Sequence, residues 1–564
     1  MGRLNNIKVF ITRYKFIIIL CIIYLIVGSI LLPFYIHQIN PDGISYIVIT
    51  QKYLQGNFSE AVNGHWAPLY SWLSIPLFAM NINPLTAMKV LGLIIGLFTL
   101  LGFYKLSLKF TMDNFTRKFV NALSGFVILS YAYAFISPDL LLVCFLLLYL
   151  NLIFNEDYTN KKHYGIITGI VGAFSYFAKH YALPFFIAHF LIFNVIKFIQ
   201  YTDKEERRTI LINTITGFMI FIIIASLWII PISLKYDKFT FFNDGVADPC
   251  GERMAIDNAG LLPLKEHNVY NMWEDPEYIK ETETYKQKAE NCHLLENPLI
   301  EKKDNIIIRM FYGIIYLLKN YNMMNYIALP LLIFTLIYII SKFKEIDRNI
   351  IFYTFITVAI YSGGFVVIGG SNIRYLWFCN LLILLLPAYF LTKLFNSDFF
   401  KEKSDRKRKI IKVIIYILII LFFSVRPFKV FNIRERNDKI LFPGDEEYNL
   451  SRRLEEYNKE YNIENSIVAS NINWHDTFAL AYHLDFKYLG VLEKYITPEM
   501  LEKDINKYNI DYFFYWTDLN IFKEKYPAHL KNIRNIKSYL DKNYIEITNN
   551  KITELEIYKL DEHK

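Results

Sequence analysis

The sequence is poor in cysteine and in charged residues, and it lacks the short motifs that bind nucleotides. Its 564 residues include 5 cysteines, too few for a disulfide scaffold, and charged residues make up 20% of the chain. Neither a P-loop nor a G-x-G-x-x-G fingerprint occurs, which argues against a nucleotide-binding domain. The net charge of +8 forms no continuous basic face, because the cations lie between apolar runs. We therefore expect no nucleic-acid partner.

Apolar and aromatic residues are abundant instead, at 54% and 17% of the chain. Apolar runs of about 20 residues, long enough to cross a bilayer, recur through the first three quarters of the sequence. The first run lacks a small-residue cleavage site and is too long for a removable signal peptide. The pattern predicts a polytopic α-helical membrane protein with about eleven transmembrane helices, at residues 16–36, 85–108, 118–136, 138–155, 164–179, 181–199, 209–233, 324–341, 350–369, 374–395 and 410–425.

The short connections differ sharply in their content of lysine and arginine. One side carries most of these cations, among them Arg13, Lys109, Lys162, Arg208 and Lys342. By the positive-inside rule this side is cytoplasmic, so the N-terminus is expected inside and, after an odd number of spans, the C-terminus outside. A composition rich in Lys, Ile, Asn and Tyr favours a bacterial plasma (inner) membrane.

Three segments on the predicted outer side are long enough to hold structure. We expect a transmembrane domain over residues 1–426, which includes a first outer loop at 37–84 and a large outer loop at 235–306. Cys250 and Cys292 lie in the large loop and can form a disulfide in an oxidising compartment. Residues 427–564 are expected to form a small soluble α/β domain, because the strand-like runs 466–470, 486–490 and 511–516 alternate with helical patterns.

The first outer loop holds four candidate functional residues. Asp42 follows the first span directly, and a carboxylate there can act as a general base towards a hydroxyl, although Pro-Asp-Gly is also a β-turn sequence. His65, Trp66 and Tyr70 close the loop and offer hydrogen-bonding and stacking surfaces of the kind that bind sugars. An interfacial aromatic anchor is the alternative for these three residues.

The other candidates are ionisable residues at the outer ends of spans. Asp139 follows Ser137 and Pro138, so it either complements a helix dipole or shares a site with Asp42. Charge at membrane depth is costly and indicates function by default, and converging cations would hold a phosphate. Snorkelling to the interface is the alternative for any one cation. The candidate phosphate-binding residues are Lys89, Lys179, His180, Arg374 and Tyr375.

These residues, in this order, resemble the GT-C superfamily of membrane glycosyltransferases, in the branch of the protein O-mannosyltransferases and the lipid A aminoarabinose transferases. In that family an acidic residue follows the first span, a His-Pro-Pro-Leu-Tyr-like motif closes the first loop and a basic residue opens the next span. Asp42, the motif from His65 to Tyr70, and Lys89 take these places in residues 10–395, which the resemblance covers. Gly43 stands where the family often has a second acid, so a divalent metal cofactor is possible but not supported.

The resemblance implies inverting transfer of a hexose or pentose from a polyprenyl-phosphate donor to a hydroxyl of a glycan, lipid or protein. Asp42 would deprotonate the acceptor, while Lys89, Lys179 and Arg374 would stabilise the leaving phosphate. No inner loop is large enough for a nucleotide-sugar domain, which also favours a lipid-linked donor.

Three alternatives fit a similar layout: a glycan polymerase or ligase, a lipid or glycan transporter, and a catalytically inactive scaffold. Transport favours helices broken near the midplane, and the glycine pairs at 363–364 and 369–370 could break the ninth span.

Overall fold

The structure is a computed structural model. It describes residues 2–242 except 63, 236 and 238; 261–263; 306–341; 350–431 except 371; 434–436; 439–441; 444–492; 497–519; 527–549; and 551–563. The predicted cysteine pair, Cys250 and Cys292, lies outside the described residues.

Helices make up most of the described chain. They are α1 (Gly2–Leu31), α2 (Pro41–Leu54), α3 (Phe58–Ala61), α4 (Leu69–Ala79), α5 (Pro84–Ser107), α6 (Asn114–Ala134), α7 (Asp139–Ile153), α8 (His163–Ala178), α9 (Ala182–Gln200), α10 (Lys204–Lys235), α11 (Ile306–Met324), α12 (Ala328–Ser341), α13 (Ile350–Ile368), α14 (Trp377–Asn396), α15 (Asp398–Lys401), α16 (Asp405–Val430), α17 (Asp445–Tyr461), α18 (Trp474–Leu484), α19 (Pro498–Tyr508) and α20 (Pro527–Asn543). Short 3-10 segments lie at Leu32–Phe34, Glu156–Thr159 and Ile373–Leu376.

The chain divides into two compact units. The first comprises Met1–Ile36, Ala67–Phe242 and Pro298–Asn432, and the second comprises His37–Trp66, Asn243–Asn297 and Ile433–Lys564. The second unit therefore combines most of the first outer loop with the C-terminal tail.

Seven helices of the described residues are long and apolar enough to cross a membrane, and they confirm a multi-pass membrane protein. They match the predicted spans at 16–36, 85–108, 181–199, 209–233, 350–369, 374–395 and 410–425. The other four predicted spans are also helical, but α7, α8 and α12 are shorter and α6 is more polar.

The helical unit contains one helix more than the sequence-based expectation. Helix α11 was not predicted, and it forms with α12 a pair bent by 109°, which counts as an eighth span if the two cross together. Helix α13 runs without interruption through Gly363 and Gly364, so this glycine pair does not produce the break that the transporter alternative would favour.

Close packing of α8 against α10 depends on small residues. A Cβ atom on Gly169 would lie 2.4 Å from the carbonyl oxygen of Gly217, so these backbones touch where no side chain intervenes. Such contacts are typical of membrane helices, which gain little from burying apolar side chains against each other. The side chain of Asn213 adds polar contacts, accepting from the Gly165 amide at 3.0 Å and donating to the Tyr158 carbonyl at 2.7 Å.

The second unit contains a six-stranded sheet with the order β1-β5-β4-β6-β8-β7. Its strands are β1 (Leu261–Pro263), β4 (Ile467–Ser470), β5 (Lys487–Leu492), β6 (Tyr512–Trp516), β7 (Tyr544–Glu546) and β8 (Leu555–His563). Strands β5, β4 and β6 are parallel, while β1, β8 and β7 pair antiparallel with their neighbours. The short pair β2 (Arg434–Arg436) and β3 (Lys439–Leu441) is separate. The expected small α/β region is confirmed.

Candidate functional site

In the membrane unit, Asp139, Lys179 and Arg374 come together at the ends of three helical elements. Asp139 opens α7, Lys179 follows α8, and Arg374 lies in the 3-10 segment before α14. One carboxylate oxygen of Asp139 accepts from the Lys179 ammonium, and the other lies 3.3 Å from Nε of Arg374. Ser137 also donates to the carboxylate at 2.9 Å. Three of the predicted site residues are therefore in direct contact.

The cluster exposes its cations more than its acid. The side chain of Asp139 is 3% exposed, whereas those of Lys179 and Arg374 are 24% and 15% exposed. Two cations against one carboxylate leave a net charge of +1, and the accessible part of it is positive. An anion approaching this surface meets an ammonium and a guanidinium before it meets the carboxylate.

Aromatic rings hold the two cations in place. The Lys179 ammonium lies 3.7 Å from the ring centroid of Tyr375, and the Arg374 guanidinium lies 5.4 Å from the rings of both Tyr375 and Phe135. Cation–π contacts at these distances are attractive without neutralising the charge. Tyr375, predicted as a site residue, thus belongs to the cluster.

The remaining predicted residues of this unit have other surroundings. Lys89 is 1% exposed, and its ammonium donates to the backbone carbonyl of Tyr133 at 3.4 Å. The ring of His180 packs against that of Tyr176 at 5.4 Å. Tyr70 is buried, and the charge of Asp139 acts on its hydroxyl. Tyr70 is thus linked electrostatically to the cluster.

In the second unit, Asp42 lies in the first turn of α2. Pro41 is the first helical residue and Asn40 has the extended backbone of an N-cap position. The sequence Pro-Asp-Gly therefore begins a helix of 14 residues, and the alternative of an isolated β-turn is wrong. An acid in this position is favoured by the helix dipole.

His65 and Trp66 contact each other and the second unit's interior. Their rings meet edge to face at 4.6 Å, and Trp66 packs on Tyr46 of α2 at 4.9 Å. Trp66 is 7% exposed. The indole therefore anchors the end of the first outer loop to α2.

The tail supplies polar residues that the sequence did not single out. Helix α18 packs against α2, and its first residues are Trp474, His475 and Asp476. The charge of Asp42 acts on the imidazole of His475. Their position in the fold is the feature that could have identified them. Helix α18 follows the carboxyl end of the parallel strand β4, and ligand-binding residues of open α/β sheets cluster at such strand ends.

Metal ligands do not assemble in the part of the chain that the structure describes. No group of three or more His, Cys, Asp or Glu side chains there can hold a metal ion. The described residues thus do not fit a divalent metal site.

Comparisons with known proteins identify structures of similar architecture. No protein-family model and no curated protein sequence matches the chain. Among solved structures, it is similar to the oligosaccharyltransferase AglB of Archaeoglobus fulgidus, in complex with an inhibitory peptide and a dolichol-phosphate. That match has a TM-score of 0.56 at 11% identity, over 95% of this chain and 73% of that one. It is also similar to ArnT of Cupriavidus metallidurans bound to undecaprenyl phosphate, with a TM-score of 0.51 at 9% identity, over 97% and 98%.

Both neighbours are GT-C membrane glycosyltransferases. The chain has the GT-C fold. The predicted resemblance is confirmed at this level, and at 9–11% identity the likeness concerns the fold alone.

Removing the acid from the buried cluster should destabilise the GT-C fold. Asp139→Asn leaves Lys179 and Arg374 close together without a counter-charge, and breaking a buried pair in this way costs about 3 kcal/mol or more. Thermal unfolding in detergent checks this. Asp157→Asn is the matched control, because the Asp157–Lys161 pair is exposed and should contribute less than about 1 kcal/mol. Equal shifts in the two variants would contradict a structural role for the cluster.

Asp476 should make the stability of the tail depend on pH. Burial, with the nearby charges of Glu447 and Glu446, raises the pKa of Asp476 from 3.8 to about 6. A raised folded-state pKa means that stability is lost as the pH rises from about 4 through about 6. Asparagine mimics the protonated acid, so Asp476→Asn should stabilise more at pH 8 than at pH 5, by about 1 kcal/mol after screening.

Thermal unfolding of the full chain at these two pH values measures the difference. Asp485→Asn, at the exposed end of the same helix, should show the same small effect at both. A stabilisation by Asp476→Asn that does not change with pH would refute the assignment.

Proposed function

We propose that this protein is a glycosyltransferase that moves a sugar from a polyprenyl-phosphate donor to a hydroxyl acceptor at the outer face of the membrane, with inversion at the anomeric carbon. The observation that carries the proposal is the pair of partly exposed cations, Lys179 and Arg374, set on the buried carboxylate of Asp139. This arrangement suits a phosphate that develops negative charge as its bond to the sugar breaks.

The donor class is supported by two independent facts. Both similar structures were determined with a lipid phosphate, dolichol-phosphate in one and undecaprenyl phosphate in the other. The sequence itself contains no P-loop and no dinucleotide fingerprint. A sugar activated by a lipid phosphate requires neither motif, since the carrier is held by the membrane and its phosphate by cations.

Lys179 and Arg374 take complementary roles in this mechanism. A guanidinium binds a phosphate with two parallel hydrogen bonds, whereas an ammonium acts as a point charge. Asp139 is a positioning residue, because both its oxygens already contact the two cations. The buried acid fixes the cations before the donor arrives, so little reorganisation is needed during the reaction.

Asp42 acts as the general base. The acceptor hydroxyl gives its proton to the Asp42 carboxylate while its oxygen forms a bond to the anomeric carbon. The bond between that carbon and the phosphate oxygen breaks, and the polyprenyl phosphate leaves with the electron pair. Attack and departure on opposite faces invert the configuration.

The first test is turnover of the purified protein in nanodiscs with a panel of radiolabelled polyprenyl-phosphate sugars and hydroxyl acceptors. Wild type should release polyprenyl phosphate from one donor, and Asp42→Asn should lower kcat at least about 100-fold while donor binding persists, because general-base catalysis contributes this much. Glu60→Gln is the matched control, since it removes an exposed carboxylate from the same loop. Equal turnover by wild type and Asp42→Asn would rule out the base; donor movement across the bilayer without sugar release would favour a transporter.

The second test separates phosphate binding from the base. Arg374→Gln should weaken binding of undecaprenyl phosphate about tenfold, since a charge-assisted, two-pronged contact is lost. Arg374→Lys should restore the charge but not the full affinity. Arg408→Gln, which alters an exposed arginine paired with Asp405, is the control. Unchanged affinity in Arg374→Gln would refute the phosphate site.

A further inference from the structure

The membrane unit contains a second buried polar group, which lies apart from the Asp139 cluster and joins three helices. It consists of Tyr149 of α7, His189 of α9 and Thr357 of α13, and none of the three is accessible to solvent. The Tyr149 hydroxyl lies 2.7 Å from Nδ1 of His189, and the Thr357 hydroxyl lies 2.9 Å from Nε2. The two ring nitrogens of one histidine therefore bond to two different helices.

The direction of these hydrogen bonds follows from the position of one hydrogen atom. The Thr357 hydroxyl donates to the backbone carbonyl of Tyr353 at 2.7 Å. A hydroxyl has a single hydrogen, so the Thr357 oxygen accepts the bond from His189, and Nε2 carries the imidazole proton. Nδ1 then accepts from the Tyr149 hydroxyl. A neutral imidazole thus satisfies every polar side-chain atom of the group, as burial in a membrane bundle requires.

Each of the three helices leads to one residue of the Asp139 cluster. Asp139 is the first residue of α7, ten residues before Tyr149, and Lys179 lies just before α9, ten residues before His189. Arg374 follows the end of α13. At a rise of about 1.5 Å per residue, the histidine group lies about 15 Å from the ion cluster along the helices. The same three stretches of chain are therefore joined twice, at different depths.

A column of aromatic rings connects the two groups. Neighbouring rings of the column have centroids 4.2–5.7 Å apart. Its members, in order from His189, are Phe185, Tyr361, Tyr181, Phe365 and Tyr375. The last ring lies 3.7 Å from the Lys179 ammonium and 5.4 Å from the Arg374 guanidinium. Because protein interiors are close-packed, a displacement at His189 is passed along such a column instead of being absorbed in voids.

We propose that His189 is a positioning residue for the phosphate-binding cations, because it holds together the three helices that bring Asp139, Lys179 and Arg374 to one point. The proposal rests on the phosphate-binding role given to this cluster under the proposed function. The ion pairs by themselves fix only the helix ends, and the direction of each helix is left free. A second attachment about 15 Å away fixes that direction, since two points define a line.

Asn151 of α7 offers a matched control for this role. Its side chain is buried like that of His189, and its amide donates to the Gly102 carbonyl of α5 at 2.9 Å. Helix α5 leads to none of the three cluster residues. Asn151→Leu therefore removes a buried interhelical hydrogen bond from the same helix without releasing α9 or α13.

The first experiment needs no ligand. Thermal unfolding in detergent is measured for His189→Phe, for Asp139→Asn and for the double variant, since phenylalanine keeps a ring and removes both hydrogen bonds. Substitutions about 15 Å apart without shared partners normally have additive effects. Here the double variant should lose about 2 °C less than the sum of the single losses, because each attachment is weakened once the other is gone.

Additive losses would overturn the proposal. Asn151→Leu should simply add its own effect to that of Asp139→Asn. Tyr149→Phe, which deletes one hydroxyl from the same group, takes the place of His189→Phe if that variant does not fold.

The second experiment measures binding of undecaprenyl phosphate in nanodiscs. His189→Phe should weaken binding about threefold, because the cations no longer meet at the optimal spacing. In an Arg374→Gln background the same substitution should have no further effect, since the arrangement it disturbs is already incomplete. A general loss of structure would instead weaken binding by the same factor in both backgrounds and would refute a positioning role. Asn151→Leu should leave the affinity unchanged.

The failure of this proposal differs from the failure of the proposed function. If wild type binds no undecaprenyl phosphate, the phosphate site fails, while the unfolding experiment still decides whether His189 and Asp139 are coupled. If wild type binds and the unfolding losses are additive, the phosphate site stands and His189 does not position it.

Discussion

The free-energy cost of burying the Asp139 carboxylate constrains how the membrane unit is arranged around it. Moving an isolated carboxylate into a medium of low dielectric costs about 20 kcal/mol in an idealised calculation and several kcal/mol in real proteins. Asp139, at 3% exposure, is kept charged only because Lys179 and Arg374 reach it from two other elements. The start of α7, the end of α8 and the segment before α14 are thus fastened at one point. The acid stays compensated only while at least one of these cations lies beside it.

The same constraint explains how two cations can lie beside each other at this point of the fold. Two cations facing each other would repel, and each alone would turn towards water or lipid headgroups. The shared carboxylate offsets that repulsion, while Tyr375 and Phe135 provide surfaces on which the cations rest. The net positive charge remains partly accessible. The ion pairs that stabilise the helices therefore also orient the cations, as the proposed phosphate-binding role requires.

Much of the helical unit could be predicted because the bilayer imposes simple rules on the sequence. Each predicted span is helical, since an apolar run in lipid must satisfy its own backbone hydrogen bonds. Helix α11 was missed because Arg309 and Lys319 interrupt its apolar character. Asp139, Lys179 and Arg374 were each noticed because charge is rare at this depth. Convergence of Lys179 and Arg374 was predicted, but their contact with Asp139 was not, because an acid after Ser137 and Pro138 is also explained by the helix dipole.

Less of the C-terminal tail could be predicted from the sequence. Strands β4, β5 and β6 were visible as short apolar and aromatic runs, but β1 and β7 have three residues each and carry too little pattern to be recognised. The packing of α2 on α18 joins residues more than 400 positions apart, and no local signal encodes such a contact. His475 is one of 11 histidines, and only its place in the fold distinguishes it.

Low sequence identity and a shared fold are compatible for a physical reason. A membrane bundle requires apolar length, close-packing glycines such as Gly169 and Gly217, and cations on one side, and very many sequences meet these requirements. A match at 9–11% identity therefore indicates a shared architecture but says little about the chemistry. The chemistry has to be sought where this chain departs from those requirements. Asp139, Lys179 and Arg374 depart from them at the helix ends. The free-energy cost of burying these charges is offset because the residues are paired.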